Sequence, residues 1–150
     1  MSRKFRLASI VVSAVVMAGC ATAPGVHTVQ NTRTYQMPYD QAWENVVSFF
    51  ASRNIQIKNI AKDSGVIYAE SARFDDSMAD CGKPGLFQIV GRKANFNVFV
   101  KHAGNDTQVS VNTDFSETRR FENNVVTVQC NSYGTLENLV LNSVSSAGGA

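Results

Sequence analysis

Three cysteines and two histidines are the residues of this chain best suited to chemistry, and their spacing narrows what that chemistry is. Cys20, Cys81 and Cys130 contain no Cys-x-x-Cys pair, and neither His27 nor His102 falls in a cluster with them. A dithiol redox centre or a zinc site therefore has no motif to rest on. His102 sits in Lys101-His102-Ala103-Gly104-Asn105-Asp106, a run that reads as a hairpin end, and no nucleophile-elbow pattern accompanies it. His27 lies in a stretch without periodicity and is assigned no role. Asp75, Asp76 and Asp80 offer the oxygen ligands that hard cations prefer, but they lack the alternating ligands and closing glutamate of a calcium loop. They read as an acidic loop. Arg119 and Arg120 beside Phe121, with Arg92 and Lys93 elsewhere in the chain, have the charge of an anion-binding patch and read by default as solvated cations. No Walker loop or dinucleotide fingerprint is present. No catalytic residue, metal ligand or cofactor is assigned.

Residues 1–20, MSRKFRLASIVVSAVVMAGC, carry more information about where the protein works. Arg3, Lys4 and Arg6 precede an apolar run from Leu7 to Met17, and the small residues Ala18 and Gly19 lead into Cys20. This order of charge, apolar run and small residues is the layout of an export signal. The run falls short of the roughly 18 to 20 residues that a stable spanning helix requires. Met17-Ala18-Gly19-Cys20 resembles the lipobox of bacterial lipoproteins, with Met17 where that family usually carries Leu. The resemblance implies removal of residues 1–19 and lipidation of Cys20 as the first residue of the mature chain. An ordinary cleaved secretory signal is the competing reading. Two acyl chains already give stable attachment, so a domain anchored through acylated Cys20 needs no membrane-binding surface of its own. Ala21, rather than Asp, follows the cysteine, which resembles lipoproteins sent to the outer membrane and facing the periplasm.

Cleavage before Cys20 leaves 131 of the 150 residues, enough for one ordinary domain. It removes three cations and no anion, so the chain's formal +2 becomes 11 Lys and Arg against 12 Asp and Glu. Nucleic acid is therefore not an expected partner. With Cys20 taken by lipid, Cys81 and Cys130 remain as a pair, and a structural disulfide is expected in an oxidising envelope compartment. A redox or nucleophilic thiol is the rival reading.

Residues 20–33 read as a lipidated cysteine and a flexible tether spanning about 20 Å. The domain is expected over 34–144 and a disordered tail over 145–150. Within the domain, a short strand at Thr34 to Met37 precedes a helix whose N-cap is expected at Asp40, with Glu44 in its first turn. Trp43, Val46, Val47 and Phe50 fall on one face of that helix. Ile55 and Ile57 alternate as a half-buried strand, and Asp63-Ser64-Gly65 turns the chain into Val66 to Ala69. Arg73 to Leu86 reads as a long loop that a disulfide at Cys81 would hold down. Phe87 to Val90 and Asn95 to Lys101 read as strand segments with a bend at Gly91, followed by a strand from Thr107 to Phe115. Ser116 to Asn124 reads as a polar connection to a last strand at Val125 to Gln129. Thr135 is expected to cap a helix bearing Leu136, Leu139, Val140 and Val144.

This order predicts an α+β fold, with a single antiparallel sheet of about five or six strands and two helices on one face. The segment Tyr39 to Ala72, an aromatic-bearing helix followed by an Ile-rich strand and an Asp-Ser-Gly turn, resembles the helix-grip domains in the lipoprotein subunit of the outer-membrane β-barrel assembly machine. That likeness covers about a quarter of the chain and implies an envelope setting and a protein partner. The resulting expectation is a non-enzymatic, lipid-anchored binding or accessory module. The bilayer would be reached through Cys20, and a second envelope protein would be the partner. The alternative is a periplasmic domain that binds a small apolar ligand, or a hydrolase, with Trp43, Phe50, Phe96 and Phe115 lining a pocket.

Overall fold

The computed structural model describes residues 21–146, so residues 1–19 and Cys20 lie outside it. The seven strands run β1 (Thr32–Tyr35), β2 (Gln56–Ala61), β3 (Val66–Ala72), β4 (Ala79–Asp80), β5 (Gln88–Ala103), β6 (Asp106–Phe121) and β7 (Asn124–Ser132). Helix α1 (Tyr39–Ser52) follows β1, and α2 (Thr135–Ser146) closes the chain. All pairings are antiparallel, in one sheet of order β2-β3-β5-β6-β7-β4. The sheet has one strand more than the upper expectation, the two-residue β4 within the long loop.

Period-two alternation explains the sheet. Ile67 and Ala69 of β3, Ala94, Phe96, Val98 and Val100 of β5, and Val109, Val111 and Phe115 of β6 are buried on one face. The helices cover that face. Ala42, Trp43, Val46, Phe49 and Phe50 of α1, and Leu136, Val140, Leu141 and Val144 of α2, complete a single core. The helices also touch each other, where the Asn45 amide donates to the Val144 carbonyl at 2.7 Å. β6 serves two partners along the same edge. Its first residues, Thr107–Ser110, pair with β1, and its last, Phe115–Phe121, pair with β7.

Several boundaries differ from the sequence expectation. Pro38, not Asp40, stands at the N-cap of α1 and caps through no side chain; Asp40 lies in the first turn, where its carboxylate takes Lys62 Nζ at 2.9 Å. That hydrogen bond from Lys62 holds the Asp40 carboxyl below the usual range. β1 starts two residues earlier than expected and ends at Tyr35, before the turn closed by Met37 N–H on the Tyr35 carbonyl. Ser116 to Phe121 is strand, not connection. Thr135 lies in the first turn of α2, and its hydroxyl donates to the Ser77 carbonyl at 2.8 Å instead of capping. α2 extends through Ser146, so Ser145 and Ser146, expected in the tail at 145–150, are helical; residues 147–150 lie outside the described part.

The segment expected to be a free tether lies along the domain. Thr22 bridges to Lys83, Gly25 N–H donates to Asp80 Oδ2 at 2.9 Å, and Asn131 Nδ2 donates to the Gly25 carbonyl at 2.8 Å. His27 sits between Asp80, at 3.5 Å, and the ring of Tyr133. Gly82 makes the close passage possible. It has φ +68°, and a Cβ there would stand 2.0 Å from the Thr22 carbonyl oxygen.

Candidate functional site

Asp75, Asp76, Asp80, Arg92 and Arg119, singled out in the sequence, each contact other groups of the protein itself. Asp75 accepts from the backbone and hydroxyl of Ser77, Asp76 pairs with Arg92 at 2.5 Å, and Asp80 accepts from Gly25 and Gly82. The three carboxylates thus face three different partners. The backbone N–H groups of Gly82 and Gly25 hold the Asp80 carboxyl below its ordinary range. Among the described residues, no group of three or more His, Cys, Asp or Glu is placed to hold a metal ion.

Arg92 and Arg119 are brought together, as an anion patch would require, but the anion is the protein's own. Glu117 is 1% exposed and accepts from Arg92 Nε at 2.8 Å and from Arg119 Nε at 2.7 Å. Arg119 continues to the loop, donating to the carbonyls of Cys81 at 2.5 Å, Gly82 at 3.1 Å and Lys83 at 3.3 Å. Burial works against the Arg92 charge, yet the bonds from Glu117 and Asp76 outweigh it and hold the guanidinium above its ordinary value. Arg120 and Lys93 are exposed and take no part in this triad. Cys81 and Cys130 form a disulfide beside it, with Cα atoms 4.2 Å apart. The 73–87 loop is therefore fixed to the sheet twice, by a covalent bond and by a charged triad.

This arrangement explains why β6 runs on. Phe115, Glu117 and Arg119 all point inward, but beyond Phe115 the inward face meets the loop backbone, which offers carbonyls to a guanidinium. Among the described residues, no buried side-chain nitrogen or oxygen lacks a hydrogen-bond partner.

His102 is exposed, with its ring stacked on Tyr39 at 4.6 Å between centroids. The pair borders a polar hollow of about 420 Å³ at the β2–β3 turn. The Tyr39 hydroxyl donates to the Lys62 carbonyl, so it is engaged in shaping the turn. His102 makes a ring contact here, and Asp40, Asp63 and Ser64 line the same hollow.

A larger cleft lies elsewhere. A cleft of about 590 Å³ opens where the end of α1, the start of β2, the end of β3 and the first turns of α2 converge. Ile55, Met78, Leu136 and Leu139 make an apolar floor with Phe96, and Arg53 and Arg73 stand at the rim. Arg53 sits where α1 stops, its guanidinium 4.9 Å from the centre of the Phe49 ring. Glu70, also on the rim, accepts from the Tyr68 hydroxyl at 2.9 Å, a bond that keeps the phenol protonated above its usual range. The size is that of small-molecule and anchor-residue pockets, roughly 300–1,000 Å³.

Of the four aromatic residues proposed to line a pocket, only Phe96 borders this cleft. Phe50 packs edge-on against Phe96 at 5.4 Å, Phe115 packs against Phe74 at 4.9 Å, and Trp43 is buried beside Tyr39. They fill the core. Arg53, Arg73, Leu136 and Leu139 were not expected as a site, since they come from segments far apart in sequence. A scan against protein-family models finds no match for this chain, and a search of curated proteins finds none. Among the described residues, no helix is long and apolar enough to cross a membrane.

Proposed function

We infer that this protein is a lipid-anchored envelope lipoprotein that works as a non-enzymatic binding module and receives a segment of another envelope protein in the 590 Å³ cleft. The observation that carries the reading is the make-up of that cleft. Ile55, Met78, Phe96, Leu136 and Leu139 give it an apolar lining, and Arg53 and Arg73 outnumber Glu70 among its charged lining residues, so it suits an apolar anchor residue flanked by a carboxylate. The charged and apolar start of the sequence and the lipobox-like ending at Cys20 support the envelope setting. The cysteine pair and the helix-grip resemblance support it as well.

Two results test this reading. Cys20→Ser is expected to move the protein from the membrane fraction to the soluble fraction, and unchanged fractionation would refute lipid anchoring. Gentle solubilisation of membranes should recover a specific protein with the wild-type chain. The Arg53→Glu/Arg73→Glu variant should recover about tenfold less, equivalent to about 1.4 kcal/mol. Both arginines are exposed, so the double variant should keep its fold, with only modest cost from the lost ring contact. Repeated recovery of the chain alone would reject a protein partner. Release of a small apolar molecule from the purified protein would favour the ligand-binding alternative, to which the cleft volume is equally suited.

A further inference from the structure

The first described residue, Ala21, lies against Gly85, its backbone and Cβ within 3.5–3.7 Å of where a Gly85 Cβ would stand. Gly85 immediately precedes Leu86, which is 75% exposed. Cys20 is one peptide unit before Ala21, about 3.8 Å between Cα atoms. Ala21 thus stands at one end of the sheet, and a lipid borne by the residue before it would be tethered from that end. The docking of residues 21–31 by Thr22, Gly25 and Gly82 holds Ala21 there.

That end is apolar. Leu86, Ile89, Val90, Phe121, Val125 and Val126 are all exposed, and the rings of Phe87 and Phe121 lie 5.7 Å apart among them. They gather where β5, β6 and β7 form a three-stranded ribbon, with Ile89 opposite Arg119 and Val126 opposite Arg119 on its other side. Val125 and Val126 are neighbours in a strand and so point to opposite faces, yet both are exposed. A rigid protein partner covers one face of such a ribbon, whereas a fluid lipid surface can meet both. Lys83 and Arg120 flank the patch with positive charge, and Glu122 beside Phe121 carries one negative charge. The apex of the β6–β7 turn, Glu122 to Asn124, is polar, which sets the contact at headgroup and upper acyl depth. At the far end of the same hairpin, about 50 Å of strand away, Gly104, Asn105 and their neighbours are polar.

We propose that the apolar end of the β5–β6–β7 ribbon is a bilayer-contacting surface that orients the domain on the membrane holding its lipid. This rests on acylation of Cys20. Retention belongs to the acyl chains, and the ribbon sets which way the cleft faces.

The test uses the full acylated chain reconstituted in vesicles of phosphatidylethanolamine and phosphatidylglycerol. Leu86→Cys and, separately, Asn105→Cys carry a nitroxide label. The label at 86 is expected to lose most of its collisions with a water-soluble nickel chelate and to gain collisions with oxygen, while the label at 105 does the reverse. Val125→Cys, on the same end, reports the same depth if the first variant folds poorly. Equal access of the nickel reagent to 86 and 105 would overturn the proposal. So would protection of 86 from both reagents in detergent as well as in vesicles, which would assign the patch to a second copy. Mass measurement on the same sample separates the two readings. An unmodified Cys20 removes both, and an acylated Cys20 with a water-exposed label at 86 removes only this one.

Discussion

Glu117→Ala should destabilise the protein by about 3–5 kcal/mol, the range for removing one partner of a buried ion pair. Here the loss is compounded because the carboxylate serves two cations. Arg92 and Arg119 would be left facing each other, Arg119 with only 6% of its side chain exposed. Against a total stability of roughly 5–15 kcal/mol, much of the fold would be at risk. Glu117→Gln keeps the shape and one acceptor oxygen and should fall between wild type and Ala. Urea unfolding midpoints provide the measure; a loss below about 1 kcal/mol for the Ala variant would show that the two arginines find other partners. Replacing the whole triad with apolar side chains is not expected to be neutral, since Arg119 also satisfies three loop carbonyls.

Cys81→Ser and Cys130→Ser should each cost about 4 kcal/mol, from the loop-closure entropy returned to the unfolded chain by opening a link of 49 residues. The double variant should be no worse than either single one, because both remove the same bond. Additive losses in thermal unfolding would mean the two thiols act separately. Either serine variant combined with Glu117→Ala should show coupling of about 0.5–3 kcal/mol, since the disulfide and Arg119 hold the same loop. Purely additive energies would show that the two fastenings secure independent parts of it.

Where one physical force dominated, the sequence could be read. The face of α1 follows from Trp43, Val46 and Phe50 at helical spacing, and β5 follows from Phe96, Val98 and Val100 at alternate positions. The turn before β3 follows from Gly65, which has φ +69° and whose Cβ would strike the Val100 carbonyl at 1.9 Å. Reading failed where polar residues were buried. Glu117 and Arg119 occupy inward positions of β6, but charge at those places imitates a solvated loop, so the pattern predicts an end at Phe115, six residues before Phe121. Asp40 had a cap's chemistry, and only the approach of Lys62 across the β2–β3 turn shows its actual partner. The cleft was invisible for a different reason. Arg53, Arg73 and Leu139 belong to a helix end, a strand exit and a second helix, and no local pattern marks surfaces that meet only after folding.

The outermost strand of the sheet has a further consequence. Among the described residues β2 has no neighbour beyond it, and its pairing with β3 slips between Ile57 and Asn59, with exposed Lys58 at the slip. A kinked border bearing a cation is a poor template for another strand to add to. Along β2, addition of a strand from a neighbouring copy is thereby disfavoured.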